Sequence, residues 1–278
     1  MFLSLSSLFL AIIFIQTGAS FAKSLFPLAG AGGASLLRLF FAGLILSLIW
    51  RPWRLKLRSH ERKNLILYGA SLGLMNLSFY FALARIPLGI AVTLEFVGPL
   101  SLSLISSRKK MDFIWACLAG LGIYLVMPTE DIHHHIDLLG VLFALTAGLF
   151  WAFYIHYGKK AGENFHGASA TTIGMIVAFL IVLPFGLYLD GDKIFNLELV
   201  PMGILVGLLS SALPYSLEMY SLKRIPAKTF GVLMSMEPAI ASLAGLMILG
   251  EKLTGQQVVA IFFIMTACLG STLSLKNN

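Results

Sequence analysis

Hydrophobic residues occupy long runs along this chain, and short connections rich in charge, glycine or proline separate the runs. A helix of about 20 apolar residues crosses the roughly 30 Å hydrocarbon core of a bilayer. The pattern therefore predicts an all-α polytopic membrane protein that is surrounded by lipid. The ten predicted spans, numbered 1 to 10 in chain order, are 2–22, 31–50, 64–84, 87–106, 112–128, 138–157, 169–189, 199–221, 228–249 and 256–274.

Two segments resemble each other across a displacement of 139 positions, which is half of the 278 residues. The stretch ARIPLGIAVTLEFVGPL (84–100) matches KRIPAKTFGVLMSMEPA (223–239), so that Pro99 corresponds to Pro238. Each half then holds five spans, and an odd number reverses the orientation of the second half in the membrane. We predict two inverted five-helix repeats, 1–128 and 138–278, an arrangement typical of secondary transporters whose substrate site lies between the halves.

Charged residues make up only 12% of the chain, about half of the roughly 25% found in soluble domains. Of the 20 Lys and Arg residues, 15 lie in connections on one side of the predicted membrane and 4 on the other, while Arg38 lies within span 2. Lys and Arg are enriched in cytoplasmic loops, so both termini are predicted to be cytoplasmic. The net charge of +7 comes from these loops, and we expect no nucleic-acid partner.

Ionisable residues inside spans each cost about 2.5–3.5 kcal/mol on insertion scales, so each needs a reason. Glu95 and Glu237 lie near the predicted midplane, and each is close to a helix-breaking proline, Pro99 or Pro238. Because proline frees a carbonyl in the preceding turn, carboxylate and carbonyl together suit a cation or a proton. The alternative is a helix–helix hydrogen bond from a neutral glutamic acid.

Two further ionisable residues have open alternatives. Arg38 either snorkels outward, pairs with Glu95 or Glu237, or binds a substrate carboxylate through its planar fork. Glu218 lies close to the inner face, where it either pairs at the interface or guides protons or substrate at the cytoplasmic mouth.

Polar and aromatic residues share the spans with these charges. Asn76 and Tyr80 are four residues apart and share one face of span 3, and Trp151 and Tyr154 share a face of span 6. Tyr215 follows Pro214, which predicts a kink in span 8. Gln16 and Ser20 lie in span 1. Helix packing or interface anchoring is the alternative role for the aromatic residues.

Several chemistries lack their sequence signatures. The chain has no Walker loop, and its spans contain neither an H-E-x-x-H nor a G-x-S-x-G motif, so we expect no enzyme and no cofactor. Consecutive histidines, His133, His134 and His135, stand in an outer loop. Their imidazoles either bind a metal ion or are simply exposed to water in the loop, and we expect the water-exposed loop and no metal.

Four stretches carry a resemblance to a known family: IQTGASFAKSLFPLAG (15–30), PLGIAVTLEFVGPL (87–100), SSALPYSLEMYSLKRIPAKTFGVLMSMEPA (210–239) and, within the last, MEPA (236–239). They resemble the EamA-type branch of the drug/metabolite transporter superfamily, and in particular its threonine/homoserine exporters. The resemblance implies proton-driven efflux through a cavity formed mainly by spans 3, 4, 8 and 9. By matching position it also implies functional roles for Glu95, Glu237 and Arg38. The histidine-rich loop departs from the pattern.

We therefore expect a monomeric transporter of the bacterial inner membrane that exports threonine, homoserine or similar neutral amino acids. Proton antiport with alternating access is the expected mechanism. Efflux of aromatic amino acids or drug-like metabolites is the first alternative, with Trp151, Tyr154 and Tyr215 as a stacking wall. A membrane enzyme or scaffold without transport activity is the second alternative.

Overall fold

The computed structural model describes residues 2–54, 59–106, 110–126, 137–162, 167–222, 224 and 233–274 of this chain. Within these ranges every regular element is helical. A 3-10 turn covers Pro52–Arg54, and a π-helical segment covers Leu208–Ala212. The α-helices are α1 (Phe2–Ser24), α2 (Phe26–Trp50), α3 (Ser59–Leu83), α4 (Leu88–Glu95), α5 (Val97–Ser106), α6 (Lys110–Val126), α7 (Leu138–Gly162), α8 (Gly167–Ile194), α9 (Leu199–Gly207), α10 (Leu213–Leu222), α11 (Glu237–Leu249) and α12 (Gly255–Ser274).

Six described segments are long and apolar enough to cross a membrane, so the predicted class of all-α multi-pass membrane protein is confirmed. Four shorter apolar helices correspond to predicted spans 4, 5, 9 and 10, and the count of ten spans stays a prediction. The six long segments are Leu3–Ser24, Phe26–Trp50, Arg62–Leu83, Leu138–Gly158, Ser169–Ile194 and Leu199–Glu218.

Predicted span 4 is interrupted at Phe96, where α4 ends and α5 begins. Pro99 follows three residues later and has no N–H to donate to the Glu95 carbonyl four residues before it. The carbonyl oxygen of Glu95 instead lies against Gly148 of α7, where an added Cβ would be only 2.5 Å from it. Gly98 has no room for a Cβ against the Gly148 backbone either, so two glycines allow α4, α5 and α7 to meet.

Predicted span 8 contains a π-helical segment between α9 and α10. In an α-helix the Ser210 carbonyl would accept from residue 214, but Pro214 has no N–H. The backbone widens at this point, and the Leu213 N–H bonds the Leu208 carbonyl, five residues back. Such π-bulges are frequent at functional sites.

The sequence predicts that span 2 begins at residue 31, whereas α2 begins at Phe26 and runs through a kink at Gly30. Gly30 has a left-handed φ of 69°, and a Cβ there would collide with the Asp190 carboxylate. Asp190 Oδ2 accepts from the Gly33 N–H at 3.0 Å, which satisfies a backbone donor after the kink. Tertiary contact with α8 therefore stabilises the kink within α2.

Helices from the two halves of the chain pack against each other. The most extensive contacts join α2 with α8, α3 with α7 and α8, α4 with α7 and α11, α5 with α7, α1 with α10 and α11, α2 with α9 and the π segment, and α6 with α12.

Glu251 joins the end of α11 to α1 and α4. Left-handed Gly250 ends α11, and the Glu251 N–H donates to the Gly245 carbonyl at 3.0 Å. The Glu251 carboxylate accepts from Lys23 Nζ at 2.6 Å and from the Leu88 N–H at 2.7 Å. Leu88 N–H lies in the first turn of α4 and has no acceptor within that helix. We call Lys23, Leu88 and Glu251 the Glu251 clasp.

The clasp determines where two buried carboxylates lie. Helix α4 runs away from the clasp and ends at Glu95, whereas α11 begins at Glu237 and runs toward it. The two helices pack together, with Gly89 against Ser242. Glu95 and Glu237 therefore lie at the same end of this helix pair, about 10 Å from the clasp along α4.

Candidate functional site

Arg38 lies in the protein interior on α2 with only 5% of its surface exposed. Its Nε donates to Ser211 Oγ at 2.8 Å, and its Nη2 donates to the Ser210 carbonyl at 2.8 Å. Its Nη1 donates to Tyr80 Oη at 3.4 Å, and the guanidinium stands 5.5 Å from the Tyr80 ring centre. Outward snorkelling is therefore not the conformation of Arg38, and no ion pair to it is found among the described residues.

The π-helical segment explains how Arg38 can bond a helix backbone. Because Pro214 cannot donate to it, the Ser210 carbonyl is open to a side-chain donor. Gly18 of α1 adjoins the same segment, since a Cβ there would lie 2.7 Å from the Ser210 nitrogen. The Ser210 carbonyl thus links two predicted residues: Pro214 leaves it without a backbone donor, and Arg38 donates to it.

Tyr80 and Asn76 share a face of α3 but differ in their contacts. Tyr80 is fully buried, accepts from Arg38 and packs against the Phe26 ring at 5.6 Å between centroids. Asn76 Nδ2 donates to the Leu72 carbonyl of its own helix at 2.8 Å. Asn76 is thus tied to α3, whereas Tyr80 belongs to the surroundings of Arg38.

Glu95 is buried at the last residue of α4. Within the described part of the chain its carboxylate forms no ion pair, but it is close enough to Arg38 for their charges to interact. A carboxylate without a direct cationic partner is open to a proton or a ligand cation.

Glu237 forms a direct hydrogen bond with Gln16 of α1. Gln16 Nε2 donates to Glu237 Oε1 at 2.8 Å, and the exposed fractions are 1% and 5%. Glu237 Oε2 and Gln16 Oε1 are both buried and have no hydrogen-bond partner among the described residues. Glu237 also occupies the first turn of α11, where the helix dipole stabilises a negative charge.

Aromatic side chains form one wall beside these charges. Tyr68 and Tyr154 stack at 4.9 Å between centroids, and Tyr68 Oη donates to Tyr154 Oη at 3.4 Å. Tyr215 lies 6.4 Å from Tyr154, and Trp151 meets the Phe96 ring edge-on at 4.7 Å. The rings of these residues therefore contact mainly other aromatic rings.

Glu218 lies on α10 beside the tyrosine wall, close enough to interact electrostatically with Tyr68, Tyr154 and Tyr215. Glu237 in turn is within electrostatic reach of both Glu218 and Glu95. The four charged groups singled out from the sequence thus comprise three carboxylates and one guanidinium in one interior region. Protons or a cationic ligand group are needed to balance them.

The structure brings most predicted residues into this region and adds several that the sequence did not single out. Asn76 is directed to its own backbone, and His133, His134 and His135 lie outside the described residues. Among the described residues no group of three or more His, Cys, Asp or Glu suited to a metal is found. The added residues are Tyr68, Ser210 and Ser211. Gln16 was already named among the polar residues of span 1, but its position in the sequence gave no sign of its partner Glu237.

Comparison with known proteins places these features in a wider group. A sequence profile described as the EamA-like transporter family matches residues 138–273. Proteins named threonine/homoserine exporter RhtA, from Salmonella typhimurium and Escherichia coli K12, are each 48% identical over 269 residues, covering 97% of this chain and 91% of the relative. An uncharacterized transporter of Clostridium kluyveri is 25% identical over 180 residues, covering 61% of this chain and 56% of that protein.

A solved crystal structure shares the fold. It superimposes with a TM-score of 0.61 at 15% identity and covers 96% of this chain and 98% of its own. At that identity the likeness concerns the course of the backbone alone.

Proposed function

This chain belongs to the EamA-like transporter family, and we propose that it exports small neutral amino acids of the threonine and homoserine class from the cytoplasm. It is a membrane transporter and not an enzyme. The observation that carries the substrate class is 48% identity over 97% of the chain to proteins named threonine/homoserine exporter. We further propose that it acts as a monomer in the bacterial inner membrane.

The charges of the interior site suit a zwitterionic substrate. An amino acid needs an anionic partner for its ammonium group and a cationic partner for its carboxylate. Arg38 is held by Ser210, Ser211 and Tyr80, and the two N–H groups that remain of its five can bind a carboxylate. Glu95 and Glu237 supply carboxylates for the ammonium group.

The helix packing supports an inverted repeat, and with it alternating access. When spans of the two halves are exchanged, the most extensive contacts between the halves have counterparts: α3–α7 corresponds to α10–α1, and α4–α7 corresponds to α11–α1. The pairs α2–α8, α4–α11 and α6–α12 correspond to themselves. In this proposal the halves 1–128 and 138–278 rock about the interior site, as inverted-repeat transporters do.

Proton antiport follows from the charge imbalance. Three carboxylates near one guanidinium favour bound protons when no substrate is present. When a substrate binds, its ammonium group neutralises part of this negative charge in place of protons. Export of substrate and import of protons are then linked because both neutralise the same carboxylates.

Glu237→Gln tests this coupling. The amide keeps the size of the side chain but cannot carry a proton across the membrane, so we expect export driven by a pH gradient to be lost. The measurement is labelled-threonine flux in proteoliposomes with and without an imposed gradient. The exposed Glu198→Gln is the matched control and should respond as the wild type does. An unaltered gradient dependence in Glu237→Gln removes this residue from the coupling role.

Efflux of aromatic amino acids is the second candidate, because Tyr68, Tyr154, Tyr215 and Trp151 line one wall of the interior. Counter-flow in proteoliposomes with labelled threonine, homoserine and phenylalanine separates the two. We expect exchange of threonine and homoserine. Exchange of phenylalanine alone would favour the aromatic substrate, and failure of both hydroxy amino acids would exclude the proposed class.

A further inference from the structure

The contact between Gln16 and Glu237 leaves two buried oxygen atoms without donors. Both side chains are more than nine-tenths buried, and a single hydrogen bond of 2.8 Å joins them across 221 residues of sequence. The unpaired atoms are Gln16 Oε1 and Glu237 Oε2. A buried acceptor without a donor costs about 1–3 kcal/mol, so the pair with an ionised Glu237 is incomplete as a purely structural contact.

Donor counting identifies what completes it. A proton on Glu237 Oε2 is one way to complete it, because the acid O–H can donate to Gln16 Oε1. An ammonium group carries three N–H donors in different directions and can bond both oxygens at once. Ser20, one turn further along α1, does not supply the missing donor, because its hydroxyl bonds the Gln16 backbone carbonyl at 2.9 Å.

The surroundings favour a cation at this place. Glu95 and Glu218 lie within electrostatic reach of Glu237, and the guanidinium of Arg38 is engaged at the π-helical segment. The first turn of α11 stabilises the carboxylate form of Glu237, which is the form that attracts an ammonium group.

We propose that Gln16 and Glu237 form the subsite that binds the α-ammonium group of the exported amino acid. This inference rests on the proposed function and extends it by assigning Gln16 a binding role. The subsite spans the two halves of the chain, because α1 contributes Gln16 and α11 contributes Glu237. Through its ammonium group alone, the substrate thus contacts both halves of the chain.

Two analogues of threonine separate this subsite from the rest of the site. The amine 1-amino-2-propanol keeps the ammonium group and lacks the carboxylate, and 3-hydroxybutyrate keeps the carboxylate and lacks the ammonium group. Each is used to inhibit exchange of labelled threonine in proteoliposomes that contain wild type, Gln16→Leu or Gln16→Glu. Ser20→Ala is the matched control, since it removes a polar group one turn away and leaves both acceptor oxygens.

In Gln16→Leu we expect the inhibition constant of 1-amino-2-propanol to rise about tenfold or more, because loss of a hydrogen bond to a charged group weakens binding by about this factor. Inhibition by 3-hydroxybutyrate should stay unchanged. Gln16→Glu keeps an acceptor and should retain inhibition by the amine, and Ser20→Ala should alter neither constant. Thermal unfolding in detergent checks that each variant is folded.

Three results would overturn the subsite. They are equal weakening of both analogues in Gln16→Leu, no change for the amine in that variant, and no inhibition of the wild type by the amine. A wild type that does not exchange threonine contradicts the proposed function instead, so the two failures are distinguishable.

Discussion

Arg38 illustrates how a single residue can be buried in a membrane protein without a direct ion pair. Its guanidinium donates to a backbone carbonyl and to a serine hydroxyl, and the tyrosine ring beside it adds a cation–π contact. Helix backbone is normally closed to side-chain donors, because each carbonyl is bonded to the fourth residue onward. Pro214 removes that donor at Ser210, so the Ser210 carbonyl can accept from Arg38. The position of the proline therefore determines where the guanidinium is held.

Arg38→Lys tests the fork geometry of this residue. Lysine keeps the charge but cannot reach Ser210 and Ser211 with a planar pair of donors, so one of these contacts is lost. We expect labelled-threonine exchange to fall about tenfold or more while the protein remains folded. Ser211→Ala removes one of the same contacts and should have a smaller effect. Wild-type exchange by Arg38→Lys would limit the role of Arg38 to its charge.

At the scale of elements, the interrupted helices bring carboxylates and backbone into contact. Gly98 and Glu237 correspond in the predicted repeat, because 139 positions separate them. Gly98 meets the Gly148 backbone of α7, whereas Glu237 bonds Gln16 of α1. Corresponding helix contacts thus differ chemically, with close glycine packing in one and a polar pair in the other.

Gly148→Ala tests the close packing of α7 against the break in span 4. The added methyl group would lie 2.5 Å from the Glu95 carbonyl oxygen, so the helices must separate. Overpacking of this kind typically costs about 1–3 kcal/mol. We expect a lower unfolding temperature in detergent and reduced transport. Gly120→Ala is the control, because nothing lies within 4 Å of its added Cβ. Equal stability of the two variants would contradict this packing.

At the scale of the molecule, the Glu251 clasp ties both halves together at one end. Glu251 serves two functions, since it pairs with Lys23 and also accepts the first-turn N–H of α4. The paired helices α4 and α11 carry Glu95 and Glu237 at their opposite end. In the proposed alternating access, movement of one half against the other would therefore act on the clasp and on the interior site together.

Charge exchange separates the two functions of Glu251. Lys23→Glu and Glu251→Lys alone should each lower the unfolding temperature in detergent. The double variant restores opposite charges but provides no acceptor for the Leu88 N–H, because lysine has only donors. Glutamate at position 23 also cannot donate to the Ile86 carbonyl, as Lys23 Nζ does at 2.8 Å. We expect incomplete recovery, with a remaining loss of about 1 kcal/mol typical of a missing helix cap. Full recovery would mean that the bond to α4 adds no stability.

Some of this architecture is local and could be predicted from the sequence. Hydropathy depends on neighbouring residues only, so the membrane class and the six long spans follow from it, although the beginning of α2 did not. Proline chemistry is also local, and Pro99 and Pro214 indicated where helix backbone would be irregular. The ionisable residues inside spans were recognisable because charge is rare there.

The sequence by itself determined that the chain is an all-helical membrane protein and which of its side chains are costly to bury. Only the tertiary structure decided their partners: Arg38 meets Ser211 across 173 residues, and Gln16 meets Glu237 across 221. The side-chain chemistry of Gln16 and Ser211 is the same wherever they lie on a helix. Their partners depend on how helices from opposite halves cross, and that crossing is set by the close packing of small residues over many turns.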